Sequence, residues 1–229
     1  KDNEVRLLCF TFSFCFLSST FLVAQFGPPP PPDTRTPKAA ARVDITGYWV
    51  SVVSEDWRFR MVTAPKGDTV NIPLNAEGKK IADAWDPAKD EASADHCKAY
   101  GAPNLMRIPA RFHITWADDS TLKIESDAGM QTRLIRFDAA APPNARSQRQ
   151  GFSSGQWDGR GALKVVTNGL LPGYLQSNGA PYSARTTMTE YFDVVKEGNG
   201  DEWLLVEAIV EDPQYLFRSF VRSTHFKKQ

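Results

Sequence analysis

Cysteine is scarce in this chain, and its placement matters more than its number. Cys9 and Cys15 fall within the first 24 residues, so the remainder carries only Cys97 and can form no internal disulfide. Histidine is equally rare, limited to His96, His113 and His225. Neither sign of charge predominates, with 27 Lys and Arg against 27 Asp and Glu. That balance argues against the clustered basic surface on which nucleic-acid binding depends, and against a polybasic membrane patch. Internal repeats are absent, and no cofactor is expected.

One long apolar run exists, from Leu7 to Ala24, flanked on its amino-terminal side by Lys1 and Arg6. A spanning helix needs about 20 predominantly apolar residues, and here Ser13, Ser18, Ser19 and Thr20 dilute a run already at the short limit. The expectation is a secretory signal peptide over 1–24, cleaved after the small residue Ala24, with an uncleaved anchor as the alternative. Export to the periplasm or the exterior follows, leaving no membrane span in the cleaved protein. Cleavage removes two residues of each charge and keeps the remainder neutral. Pro28 to Pro32 then open a proline- and alanine-rich segment over 25–43, which favours extended polyproline structure and is expected to be a tether. Residues 44–229 are enough for a single domain held by its own hydrophobic core.

Within that domain the dominant signal is period-two alternation. Strands are expected over Thr46 to Ser54, Trp57 to Thr63, Arg107 to Trp116, Thr121 to Ser126, Gln131 to Phe137, Gly151 to Trp157, Leu163 to Thr167, Thr186 to Val195, Glu202 to Glu211 and Phe217 to Phe226. Turn sequences such as Asp118-Asp119-Ser120 and Glu197-Gly198-Asn199-Gly200 separate many of them and join neighbouring antiparallel strands. About ten strands favour a closed antiparallel β-barrel or a sandwich, because open edges invite aggregation. A helical insertion over 75–100 interrupts the pattern: one helix capped by Asn75 with Ile81 and Trp85 on one side, and a second from Glu91 to Tyr100 behind Asp90. It is placed to cover one mouth of the barrel.

The phrases ITGYWVSVVSEDWRFRMV, PLNAEG, AWDPAKDEA, HITWADDSTLKIESDAG, TEYF and IVEDP resemble a family of uncharacterised exported bacterial proteins, over nearly all of 44–229. The resemblance implies a shared fold and export but carries no activity. Gly47-Tyr48-Trp49 is also similar to the Gly-x-Trp opening of lipocalin-like barrels. That second resemblance implies an Arg near the end of the last strand packed on the Trp, and Arg222 stands at the comparable place.

Chemistry is sought where polarity and strand parity disagree. Glu190 shares a face with Met188, Phe192 and Val194, and Glu207 lies between Leu205 and Ile209. A buried carboxylate needs a partner or loses its charge. Arg218 and Arg222 share a face with Leu216 and Phe220, so Glu190 and Arg222 are expected to pair inside the barrel near Trp49. Such a pair is structural, or forms the polar end of a cavity for a small, partly apolar ligand, which makes a binding role the leading expectation. The alternatives are a cavity enzyme of hydrolase or isomerase type with Glu190 as acid or base, and a non-catalytic scaffold with a filled core.

Arg58 and Arg60 share a face of the expected second strand, either solvated or forming an anion site that Arg107 or Arg111 could join. Asp95-His96-Cys97 places three metal-ligand types in succession, but neighbouring helical residues diverge, so no metal site is expected. Gly151-Phe152-Ser153-Ser154-Gly155 lacks the strand-to-helix setting of a nucleophile elbow, and Cys97 is expected to be a small buried hydrophobe. Oligomeric state is open at this level.

Overall fold

Alternating apolar and polar side chains produce strands that curl into a closed barrel. In chain order the strands are β1 (Gly47–Ser51), β2 (Arg111–Trp116), β3 (Thr121–Ser126), β4 (Gln131–Arg136), β5 (Phe152–Trp157), β6 (Leu163–Asn168), β7 (Gly173–Gln176), β8 (Ala180–Tyr182), β9 (Thr187–Lys196), β10 (Glu202–Glu211) and β11 (Phe220–Lys228). The computed structural model describes residues 33–93, 95–137 and 146–229. The expected signal peptide and the proline run at 28–32 lie outside the described residues.

Around the ring the order is β1-β11-β10-β9-β6-β5-β4-β3-β2, and β2 closes back on β1. Sequence neighbours are therefore spatial neighbours, apart from the β7–β8 hairpin, which leaves the barrel as a separate two-stranded sheet. Nine strands cannot alternate in direction all the way round, so at least one adjacent pair must run parallel. That pair is β4–β5, joined over Ile135↔Ser153 and Arg136↔Ser154; every other pair in the ring is antiparallel.

Inward positions fill the ring with Trp49, Phe112, Ile124, Ile135, Leu163, Phe192, Leu204 and Phe226, all fully buried. Burial of each such side chain contributes about 1.5–3 kcal/mol. Leu105 and Met106 join this core from outside the sheet. A second cluster unites Met188, Val210 and Phe220 of the strands with Ile72, Ala102, Leu175 and Tyr182 of the connecting segments. The insertion and the β7–β8 hairpin thus pack onto the barrel through apolar contacts of their own.

The insertion departs from expectation in detail. Residues 57–63 are not a strand: Asp56 takes a left-handed conformation (φ 50°) and turns the chain into the short helix α1 (Trp57–Arg60). A period-two pattern over so few residues fits one helical turn equally well. Asn75 caps α2 (Ala76–Ala84) as expected, its side chain accepting from the Gly78 amide at 2.9 Å. However, α2 buries Gly78 and Ala82, while Ile81 stays partly exposed. Gly78 is required there, since an added Cβ would stand 2.6 Å from the Tyr215 carbonyl oxygen. The second helix starts earlier than expected, as α3 (Pro87–Ala92), because Asp86 caps it and Pro87 suits its first turn. Gly101 ends a single 3-10 turn (Lys98–Tyr100) and at once precedes the short α4 (Ala102–Leu105).

Part of the expected tether is seated on the barrel. The Trp157 indole donates to the Pro37 carbonyl at 2.8 Å, the Lys38 amide to Asp119 at 3.0 Å, and Arg42 to the Gly159 carbonyl at 3.2 Å. Among the described residues no helix is long and apolar enough to cross a membrane.

Candidate functional site

Glu190 lies inside the barrel with no solvent exposure, on the face that its parity assigned. Its partner is Arg133 of β4, not Arg222. One Arg133 terminal nitrogen donates to Glu190 Oε2 and, at 2.8 Å, to Thr167 Oγ1, while Nε donates to Ser153 Oγ at 3.0 Å. Ser153 and Thr167 also share a hydrogen bond at 2.8 Å. Four polar side chains from β4, β5, β6 and β9 thus form one hydrogen-bonded cluster in the core, with Arg133 Nη1 and Glu190 Oε1 left unpartnered among the described residues. Ser153 is consumed in it and is no nucleophile elbow.

Register explains why the expected pair does not form. Ala208 is directly opposite Glu190 on one side and Arg222 on the other, so the two lie on one inward rung with a whole strand between them. Strand spacing of roughly 4.8 Å puts their backbones about 10 Å apart. The Ala208 methyl is too short to fill that span, and a cavity of about 10 Å³ remains, lined also by Ala102, Pro103 and Met106. Such a volume holds roughly one water molecule. Glu190 Oε1 and Arg222 Nε are buried without hydrogen-bond partners among the described residues, and both residues line this cavity.

Arg222 does not pack on Trp49. Its guanidinium stands 4.2 Å from the centroid of the Phe220 ring and donates to the Asn71 carbonyl. Burial, then the nearby Arg107 charge, lower its pKa from the usual arginine value. The cation over Trp49 is Lys228, with Nζ 5.3 Å from the ring centroid, and the indole donates to the Ile45 carbonyl at 2.8 Å. Lys228 fills that place because β11 runs on to it and pairs it with Trp49.

Of the arginines expected at an anion site, Arg60 and Arg107 come together, while Arg58 and Arg111 are paired elsewhere. Arg58 is exposed and pairs with Asp68 at 2.9 Å. Arg60, turned inward by α1, donates to the carbonyls of Arg107 (2.8 Å) and Val52 (3.0 Å). Burial and the Arg107 charge depress it, against the pull of Glu55 and Asp56. Arg107 pairs with Asp56 at 2.9 Å, and Arg111 with Asp127 at 3.1 Å. Arg218 precedes β11, is exposed, and lies against the Phe217 ring. Cys97 is exposed rather than buried, and Asp95 accepts from Arg149 at 2.7 Å.

Polar groups of another kind gather on the outside. A groove of about 760 Å³ crosses β5, β6, β9, β10 and β11, with Tyr191, Glu207 and His225 among its residues. His225 is held by Glu55, whose two carboxylate oxygens engage the His225 backbone amide (3.1 Å) and ring Nδ1. Glu55 also lies 3.5 Å from Arg60. The sequence flagged Glu207 through its parity but gave no sign of Glu55, which joins His225 across 170 positions.

No family model matches this chain, and neither does any curated protein or solved structure.

Proposed function

We propose that this is an exported, non-catalytic barrel whose core is filled and whose outer face carries its interactions. The observation that supports it is the cavity beside Glu190, whose 10 Å³ is far below the about 300–1,000 Å³ of small-molecule sites. Glu190 is committed to Arg133 and closed to solvent, an arrangement suited to fixing strand packing rather than to exchanging protons with a substrate. The outer groove offers the larger volume and keeps its polar groups within reach of solvent.

A second reading, a ligand held inside the barrel, is favoured by the unpartnered Glu190 Oε1 and Arg222 Nε at the cavity. A titration with a fluorescent fatty acid separates the two. The filled barrel predicts no saturable one-to-one binding. Saturable binding that Glu190→Gln abolishes, with the fold retained, would contradict it.

A further inference from the structure

We propose that the outer face of β5, β6, β9, β10 and β11 binds a neutral, polyhydroxylated chain, an oligosaccharide laid across the strands. This rests on the outer-face reading above and names the ligand class that the face serves.

Gln156, Lys164, Tyr191, Glu207 and Ser223 are consecutive cross-strand neighbours, one from each of the five strands. Together they make a single rung that spans four strand gaps, roughly 19 Å. All five are exposed or half-buried, and all five line the groove. None of their side chains makes a hydrogen bond or ion pair with another side chain among the described residues. On an ordinary sheet face, opposite charges in cross-strand reach pair and contribute stability. Here Tyr191 occupies the strand between Lys164 and Glu207 and separates them. The rung is thus a row of polar groups with free hydrogen-bonding capacity.

Charge narrows the ligand. Lys164 and Glu207 cancel within the rung, and beyond it Arg160 stands against Asp193 and Asp158, the latter with its Oδ1 already taken by the Arg160 and Gly161 amides. The groove thus carries both signs, with a single negative charge in excess. A polyanion would meet Glu207 and Asp193, and a polycation would meet Lys164 and Arg160. An acyl chain needs a continuous apolar floor, which a row of Gln, Lys, Tyr, Glu and Ser does not provide. A peptide strand adds to an open sheet edge, and this barrel is closed. A neutral sugar chain satisfies the whole row. The Glu207 carboxylate accepts from hydroxyl pairs, the Gln156 amide both accepts and donates, Lys164 and Ser223 supply further donors, and the Tyr191 ring offers a flat surface to the C–H face of a sugar ring. His225, two residues beyond Ser223 on the same outward face, has its Nδ1 engaged by Glu55 and its other ring nitrogen available to a hydroxyl.

The test is a titration of ¹⁵N-labelled protein with cellohexaose and, separately, with fully N-acetylated chitohexaose, followed through backbone amide shifts. The expected result is saturable shifts from at least one of the two, confined to the five strands. Tyr191→Ala and Glu207→Gln should each weaken that binding by about tenfold, a change equal to one good contact, without moving the thermal midpoint of Glu207→Gln. The proposal is overturned if neither hexasaccharide shifts these amides, if the shifts fall elsewhere, if an anionic saccharide or a peptide binds the groove in preference, or if both variants bind as well as the native protein. Absence of saccharide binding by a barrel that also takes up no fatty acid would sink this inference alone. Uptake of fatty acid with saccharide binding intact would sink the filled-core reading alone.

Discussion

Glu190 and Glu207 sit on adjacent strands, one residue out of phase, and so face opposite sides of one sheet. Glu190 is sealed in the core and anchored by Arg133, with Thr167 and Ser153 completing the cluster. Glu207 is exposed, on a rung whose side chains leave one another unpaired. The contrast separates two uses of charge. Inside, a carboxylate is tolerable only when bonded, and bonding makes it a structural fixture. Outside, it can remain free, and a free carboxylate beside free amide and hydroxyl groups is equipped to meet a ligand.

The largest expected effect comes from breaking the inner pair. Arg133→Met leaves Glu190 buried without its cation and should cost about 3–5 kcal/mol, measured by denaturant unfolding. Adding Glu190→Leu to that variant should recover most of the loss, because two apolar residues can replace a buried ion pair at little net cost. If the double variant were no more stable than Arg133→Met alone, the pair would not be the unit described. Next in size is Gly78→Ala in α2, which forces a methyl against the Tyr215 carbonyl and should cost about 1–3 kcal/mol.

A smaller and pH-dependent effect is expected at Asp90, which sits outside the barrel core. Burial alone would raise its pKa, but hydrogen bonds from Lys98 (2.7 Å), Tyr174 (2.7 Å) and the Trp85 indole (3.0 Å) outweigh that and lower it below 3.8. A lowered folded-state pKa contributes stability that is present above 3.8 and is lost as pH falls through the folded value. Asp90→Asn should therefore flatten the acid limb of the stability curve below that point. Smallest of all, Glu207→Gln should shift unfolding by less than about 0.5 kcal/mol, since it removes no contact within the protein. A larger loss would mean that the outer carboxylate is structural too, and the contrast with Glu190 would disappear.

The barrel is legible because alternation fixes which side chains face inward on the strands of the ring, from Trp49 in β1 to Phe226 in β11, though not in the segment 57–63. Glu190 was placed correctly for the same reason. Its partner was not, because parity states which face a residue occupies and not which residue lies across the lumen. Arg133 shares parity with Ile135 and Phe137, but parity alone does not distinguish it from Arg222 of the last strand as the partner of Glu190. Arg58 and Arg60 misled because four alternating residues satisfy a strand and a helical turn alike. The parallel β4–β5 pair follows from strand number, which alternation cannot count to within one. Glu55 meets His225 only through the closure of the ring, so no local pattern could join them.

Native mass spectrometry of the protein purified from its own source tests the central claim most directly. The filled barrel predicts the mass of the polypeptide alone, with no small molecule released on unfolding. A stoichiometric apolar molecule that leaves only when the protein unfolds would contradict it.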